Sequence, residues 1–232
     1  MKPSNAETVT IAVSQAHTVS GLLCRPARPR ACCVLAHGAG AGMAHPFMQA
    51  IAAGLATRDI ATLRYQFPYM EKGSKRPDAP ELAQGTVRAA VAQAALLAPT
   101  LPLVAGGKSF GGRMTSQAHA ISPLPGVHGL VFIGFPLHRA NRPSDERADH
   151  LSHVRIAMLF LQGARDALAQ AELISSVADR LGDRASLHLI AEADHSFHVP
   201  ARSGRTDAEV RSGLLDRLAA WTFDIISRTQ PG

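Results

Sequence analysis

The chain has 232 residues, 46% of them hydrophobic and 18% charged, with a formal net charge of +6. That balance fits a globular protein with a large core and excludes a disordered or fibrous chain. No stretch approaches the ~18 uninterrupted apolar residues of a spanning helix, and residues 1–7 lack the apolar centre of a signal peptide, so a cytoplasmic protein is expected.

Residues 8–14 and 21–25 alternate like a leading antiparallel pair. Residues 31–36 form the first fully apolar run, and the small-residue segment His37-Gly38-Ala39-Gly40-Ala41-Gly42 follows it. A helical pattern covers 46–57, and a strand at 61–65 leads into an excursion at 66–80 that is expected to overhang one sheet edge, with Phe67, Tyr69 and Met70 as an apolar wall. Helical spacing returns at 81–97. The run 103–107 then breaks into Gly107-Lys108-Ser109-Phe110-Gly111, with a helix over 111–121. Strands are expected at 129–134, 156–162 and 186–190, and helices at 168–181 and 207–228. Short apolar runs alternating with helices predict an α/β protein, a parallel sheet covered on both faces. No linker, repeat or low-complexity tract divides it, so residues 1–232 read as a single domain.

The chemistry starts at Ser109. A G-x-S-x-G pattern between a buried strand and a helix suits a nucleophile elbow, where only glycine two residues before and after the serine avoids a clash. Asp166 and His195 each fall just past a later strand, giving the chain order serine, acid, histidine. In an open parallel sheet the carboxyl ends of the strands share one edge, so the three can converge there. Ser109 is the expected nucleophile, His195 the general base and acid, and Asp166 the group that orients the imidazole. The backbone N–H of Phe110 and that of Ala39, with Gly40 as the near alternative, are the expected oxyanion donors. Bland readings stand beside these. Asp166 would also serve as a helix cap before Leu168, His198 and Asp194 are rivals for base and acid, His37 reads as structural, and Lys108 as a paired, partly buried cation. The string Gly106-Gly107-Lys108-Ser109 imitates the end of a phosphate-binding loop, but that loop's first glycine would fall at Pro102.

Six segments together resemble a known family: His37-Gly38-Ala39-Gly40, residues 63–69, residues 107–113, Gly134-Phe135-Pro136-Leu137-His138, residues 162–166 and Asp194-His195-Ser196-Phe197. The chain is similar to α/β-hydrolases of the dienelactone-hydrolase-like group, and within it to the small-hydrolase family that includes the testis-expressed hydrolase-like protein and subunit 3 of the non-specific-lethal chromatin complex. The resemblance implies an α/β-hydrolase fold, with a mostly parallel eight-stranded sheet and helices on both faces. It also implies little or no cap, because only residues 136–152 occupy the place where lids usually enter. The implied activity is serine hydrolysis of an ester-type acyl bond through an acyl-enzyme, with no metal and no organic cofactor. Serine stands where dienelactone hydrolases carry cysteine, so their lactone chemistry does not transfer. A binding or scaffold protein that keeps the fold is the competing class, and a thioesterase or peptidase would leave the same three residues.

Substrate contacts are expected from Arg64, Phe67, Tyr69, Arg113 and His138. Lys72, Lys75, Arg76, Arg139, Arg142, Arg202 and Arg205 all lie in loops that follow strands, so the partner is expected to be a small acyl substrate, anionic if these loops steer it. A merely solvated basic surface is the alternative. The basic residues form no stripe with interleaved aromatics, which argues against nucleic acid. Cys24, Cys32 and Cys33 read as small buried hydrophobes in a reducing compartment.

Overall fold

The structure is a computed structural model that describes residues 6–229. The strands are β1 (Glu7–Ser14), β2 (His17–Cys24), β3 (Ala31–Ala36), β4 (Ile60–Tyr65), β5 (Leu103–Lys108), β6 (Val127–Ile133), β7 (Ala157–Gly163) and β8 (Ala185–Ile190). The helices are α1 (Pro46–Ala56), α2 (Pro68–Glu71), α3 (Pro80–Leu97), α4 (Phe110–Ile121), α5 (Ala171–Leu181) and α6 (Asp207–Thr229). The strands form an eight-stranded sheet in the order β1-β2-β4-β3-β5-β6-β7-β8. β2 runs antiparallel to both of its neighbours, and every pairing from β4 through β8 is parallel.

Both faces of the sheet are covered, which is why the central strands are apolar at nearly every position. On one face Met48, Ile51 and Leu55 of α1 and Leu214 and Trp221 of α6 pack over Leu35, Val131 and Leu159. On the other, Val87 and Val91 of α3, Met114 of α4 and Val177 of α5 pack over Val34, Phe132 and Phe160. Cys32 and Cys33 are consecutive in a strand, so their side chains enter opposite cores. Burial pushes the Cys32 thiol up to about 12 and raises Cys33 as well.

Two element starts differ by three or more residues from the sequence expectation. β2 begins at His17 rather than 21, because a tight turn pairs His17 with Ser14 and extends the hairpin. α5 begins at Ala171 rather than 168. The Leu168 N–H donates to the Asp166 carboxylate, and the Leu168 carbonyl accepts from His138 N–H, so residues 168–170 are held in a turn. The excursion after β4 folds back on itself: α2 forms within it, and Tyr69 N–H donates to the Asp78 carboxylate at 3.0 Å. Between β6 and β7 the regular structure is one 3₁₀ segment, Glu146–His153, in keeping with the expected light cap. Among the described residues no helix is long and apolar enough to cross a membrane.

Candidate active site

β5 delivers Ser109 into a turn with φ 50° and ψ −114°, a backbone conformation that non-glycine residues seldom adopt. The neighbouring chain explains the flanking glycines. A Cβ on Gly107 would lie 2.2 Å from the Ala36 carbonyl oxygen, and one on Gly111 would lie 2.6 Å from that of His37. β5 and the start of α4 are thus pressed against the end of β3, and the Ser109 hydroxyl projects beyond the sheet edge.

Ser109 Oγ lies 2.9 Å from His195 Nε2, and His195 Nδ1 lies 2.6 Å from Asp166 Oδ2. These distances make one continuous line from hydroxyl through imidazole to a carboxylate whose side chain has no exposure to solvent, while the imidazole is about a quarter exposed. Asp166 is fixed from two further directions. Gln162 Nε2 donates to the same Oδ2 at 2.5 Å, and Leu168 N–H donates to Oδ1 at 2.8 Å. Gln162 is itself held, since its Oε1 accepts from Phe135 N–H at 2.8 Å. Asp166 does not cap a helix, since α5 starts only at Ala171; one of its oxygens begins a turn and the other reaches the histidine.

The rivals are placed elsewhere. Asp194 Oδ1 accepts from the N–H groups of Ser196 and His198, which builds the turn carrying His195. His198 sits at the surface on Asp207, 2.9 Å away, and this bond raises its pKa. His37 is structural: its Nδ1–H donates to the Gly38 carbonyl at 2.8 Å and its Nε2 accepts from Phe67 N–H at 3.1 Å. Burial lowers its pKa and keeps it neutral. Lys108 Nζ donates to the His195 carbonyl at 2.8 Å. Burial lowers its pKa to about 8, against the opposing pull of the Asp166 and Asp194 carboxylates.

A cavity of about 460 Å³ opens at this point, lined by Ala39, Phe47, Met48, Lys108, Ser109 and Leu168 among others. Ala39 lines it, whereas the Gly40 N–H donates to the Tyr69 hydroxyl at 3.4 Å. Phe110 follows the serine at the first position of α4, where helix geometry leaves the backbone N–H without an intrahelical partner. Its ring packs 5.3 Å from that of Phe67.

The other expected substrate contacts do not line this cavity. Phe67 and Tyr69 are buried in the core, because the excursion after β4 turns inward. Arg64 is buried beside α1, with its Nη1 donating to the Met43 carbonyl at 2.9 Å, and it lines a different cavity. Arg113 lies on α4, where burial first and then Arg147 lower its pKa. His138 is buried and bonded through Nδ1 to the Arg139 carbonyl at 2.8 Å. In their place Phe47, Met48 and Leu168 supply the apolar wall. Gln162 was missed as a site residue, although a polar side chain closing the apolar run 156–162 was the signal to follow.

Solved structures of the same architecture match nearly the whole chain. A dienelactone hydrolase from Anabaena variabilis is 20% identical, covering 94% of this chain and 97% of its own, with a TM-score of 0.77. XC6422 from Xanthomonas campestris, described as a serine hydrolase without a lid, is 20% identical over 100% of this chain and 98% of its own, with a TM-score of 0.73. Est1E from Butyrivibrio proteoclasticus is 14% identical over 95% of this chain and 99% of its own, with a TM-score of 0.71. At these identities the likeness is one of fold. A family model described as an alpha/beta hydrolase domain matches residues 29–223, a span that holds β3 to β8 and the serine, acid and histidine turns, and the chain belongs to that family.

Proposed function

We propose that the protein is a serine hydrolase of carboxylic esters, with Ser109 as nucleophile, His195 as general base and acid, and Asp166 as the orienting carboxylate. The observation that carries this reading is the 2.9 Å and 2.6 Å hydrogen-bonded line through His195. A scaffold that had given up turnover would have no use for that line, nor for a strained serine facing a cavity.

The chemistry follows from the geometry. His195 Nε2 takes the Ser109 proton as the hydroxyl attacks an acyl carbonyl, and Asp166 stabilises the imidazolium that forms. The N–H groups of Ala39 and Phe110 would hold the developing oxyanion, each such donor being worth ~10²–10³ in rate. His195 then protonates the departing alcohol, and water releases the acid from Ser109 by the same proton path. The apolar wall of Phe47, Met48 and Leu168 suits a small acyl substrate, and the basic loops around the edge favour an anionic one. Kinship with the narrower testis-expressed small-hydrolase family rests on the six sequence segments that resemble it.

A fluorophosphonate probe and a series of short-chain 4-nitrophenyl esters test this directly. Wild-type protein is expected to label and to turn over, and Ser109→Ala to lose both. Equal slow rates in folded wild type and Ser109→Ala would favour the scaffold reading. A matched pair of neutral and anionic esters at low salt separates steering from a solvated surface, the anionic ester being expected to show the higher kcat/KM.

A further inference from the structure

A second cavity, about 530 Å³, lies behind α1, on the far side of that helix from Ser109's cavity. Leu22, Cys24, Pro46, Ala50, Ala53 and Arg64 are among its lining residues. Its walls are small and apolar apart from Gln49 and one guanidinium. Arg64 is only 4% exposed, donates through Nη1 to the Met43 carbonyl, and leaves its buried Nε without a partner. Among the described residues no carboxylate forms an ion pair with it. Burial lowers its pKa, with Cys24 opposing that shift in part.

An uncompensated buried charge is far costlier than one with a counter-ion, so a cation held in this way calls for an anion. The volume and the walls narrow its chemistry. The cavity is open to solvent along Pro46, Gln49 and Ala53, so a free inorganic ion would leave its apolar wall uncovered, and a neutral apolar molecule would leave the guanidinium unpaired. The volume lies within the range of small-molecule sites, roughly 300–1,000 Å³.

We propose that this cavity is a binding site for a monocarboxylate with an apolar tail, the carboxylate seated on the Arg64 guanidinium and the tail against Leu22, Ala50 and Ala53. The site is separate from the Ser109 cavity and does not depend on turnover there. Isothermal titration at low salt tests it, with octanoate, octan-1-ol and inorganic phosphate as probes. Wild type is expected to bind octanoate saturably at a site whose affinity Leu168→Trp, which narrows the Ser109 cavity, leaves unchanged, and to bind the alcohol and phosphate there at least tenfold more weakly. Arg64→Met, which removes the charge and keeps the length, is expected to weaken octanoate at least tenfold. Ala53→Leu fills the cavity and leaves Arg64 in place, so it keeps the test intact if Arg64→Met fails to fold, and the same weakening is expected of it. Absence of saturable octanoate binding to wild type would overturn the proposal. So would octan-1-ol or phosphate binding as tightly as octanoate, or undiminished octanoate binding by Ala53→Leu.

Discussion

At Gln162 an amide side chain bridges a backbone N–H and a carboxylate inside the sheet, joining Phe135 at 2.8 Å to Asp166 at 2.5 Å. Gln162→Leu keeps the bulk and removes both bonds, leaving a buried N–H unsatisfied and the carboxylate held only by Leu168 N–H and His195. A lost bond to a buried or charged group costs about 1–3 kcal/mol. Part of that would appear as a lower melting temperature and part as a ~10–100-fold fall in kcat/KM, as Asp166 holds the imidazole less firmly. Unchanged kcat/KM with a lowered melting temperature would leave Gln162 a structural role alone. Lys108 makes a different prediction. Its ammonium donates to the His195 carbonyl at 2.8 Å and so ties the turn that carries the imidazole to the end of β5. Lys108→Met should therefore let that turn shift and lower kcat/KM ~10-fold with the melting temperature little changed, read from rates on one neutral ester and thermal melts of the same samples.

At the scale of elements, the elbow depends on three segments meeting with no room for a methyl group. Gly111→Ala would drive a Cβ to 2.6 Å from both the Ala36 side chain and the His37 carbonyl, where α4 begins against β3. About 2 kcal/mol or more of stability should be lost, together with probe labelling at Ser109, and thermal melts alongside a labelling time course would show both. This packing was legible in the sequence, since glycines spaced about a serine between an apolar run and a helix have one strong structural reading. The strands of the parallel sheet were legible for a similar reason, being apolar on both sides. What escaped was decided by tertiary capture. Residues 168–170 have helical spacing, but Asp166 and His138 take the backbone groups of Leu168. Phe67 and Tyr69 follow a strand end, and nothing in their spacing shows that the excursion turns them into the core. Phe47 and Met48 read only as helix, because their place beside Ser109 comes from how α1 crosses the sheet.

Across the whole molecule, buried histidines couple stability to acid. Burial lowers the pKa of His37, of His119 and, to about 4, of His150, with nearby cations adding to the effect on the last two. Each is neutral in the native state, while the unfolded chain takes up protons near ~6.5. The unfolded state thus binds more protons below that value, and stability present above it is lost as pH falls towards 4. The exposed His198, raised by Asp207, contributes with the opposite sign. Melting temperature at fixed ionic strength should fall from pH 6.5 to 4.5, and less steeply in His150→Gln; a flat profile would contradict the assignment. The distribution of the site along the chain has one more consequence. Ser109 and His195 stand 86 positions apart, on turns after β5 and β8. At ~5–20 residues per second of synthesis, roughly 4–17 s pass between the two emerging from the ribosome. Throughout that interval the Ser109 hydroxyl has no imidazole beside it, so under the proposed function the growing polypeptide stays inert towards acyl compounds until β8 has docked.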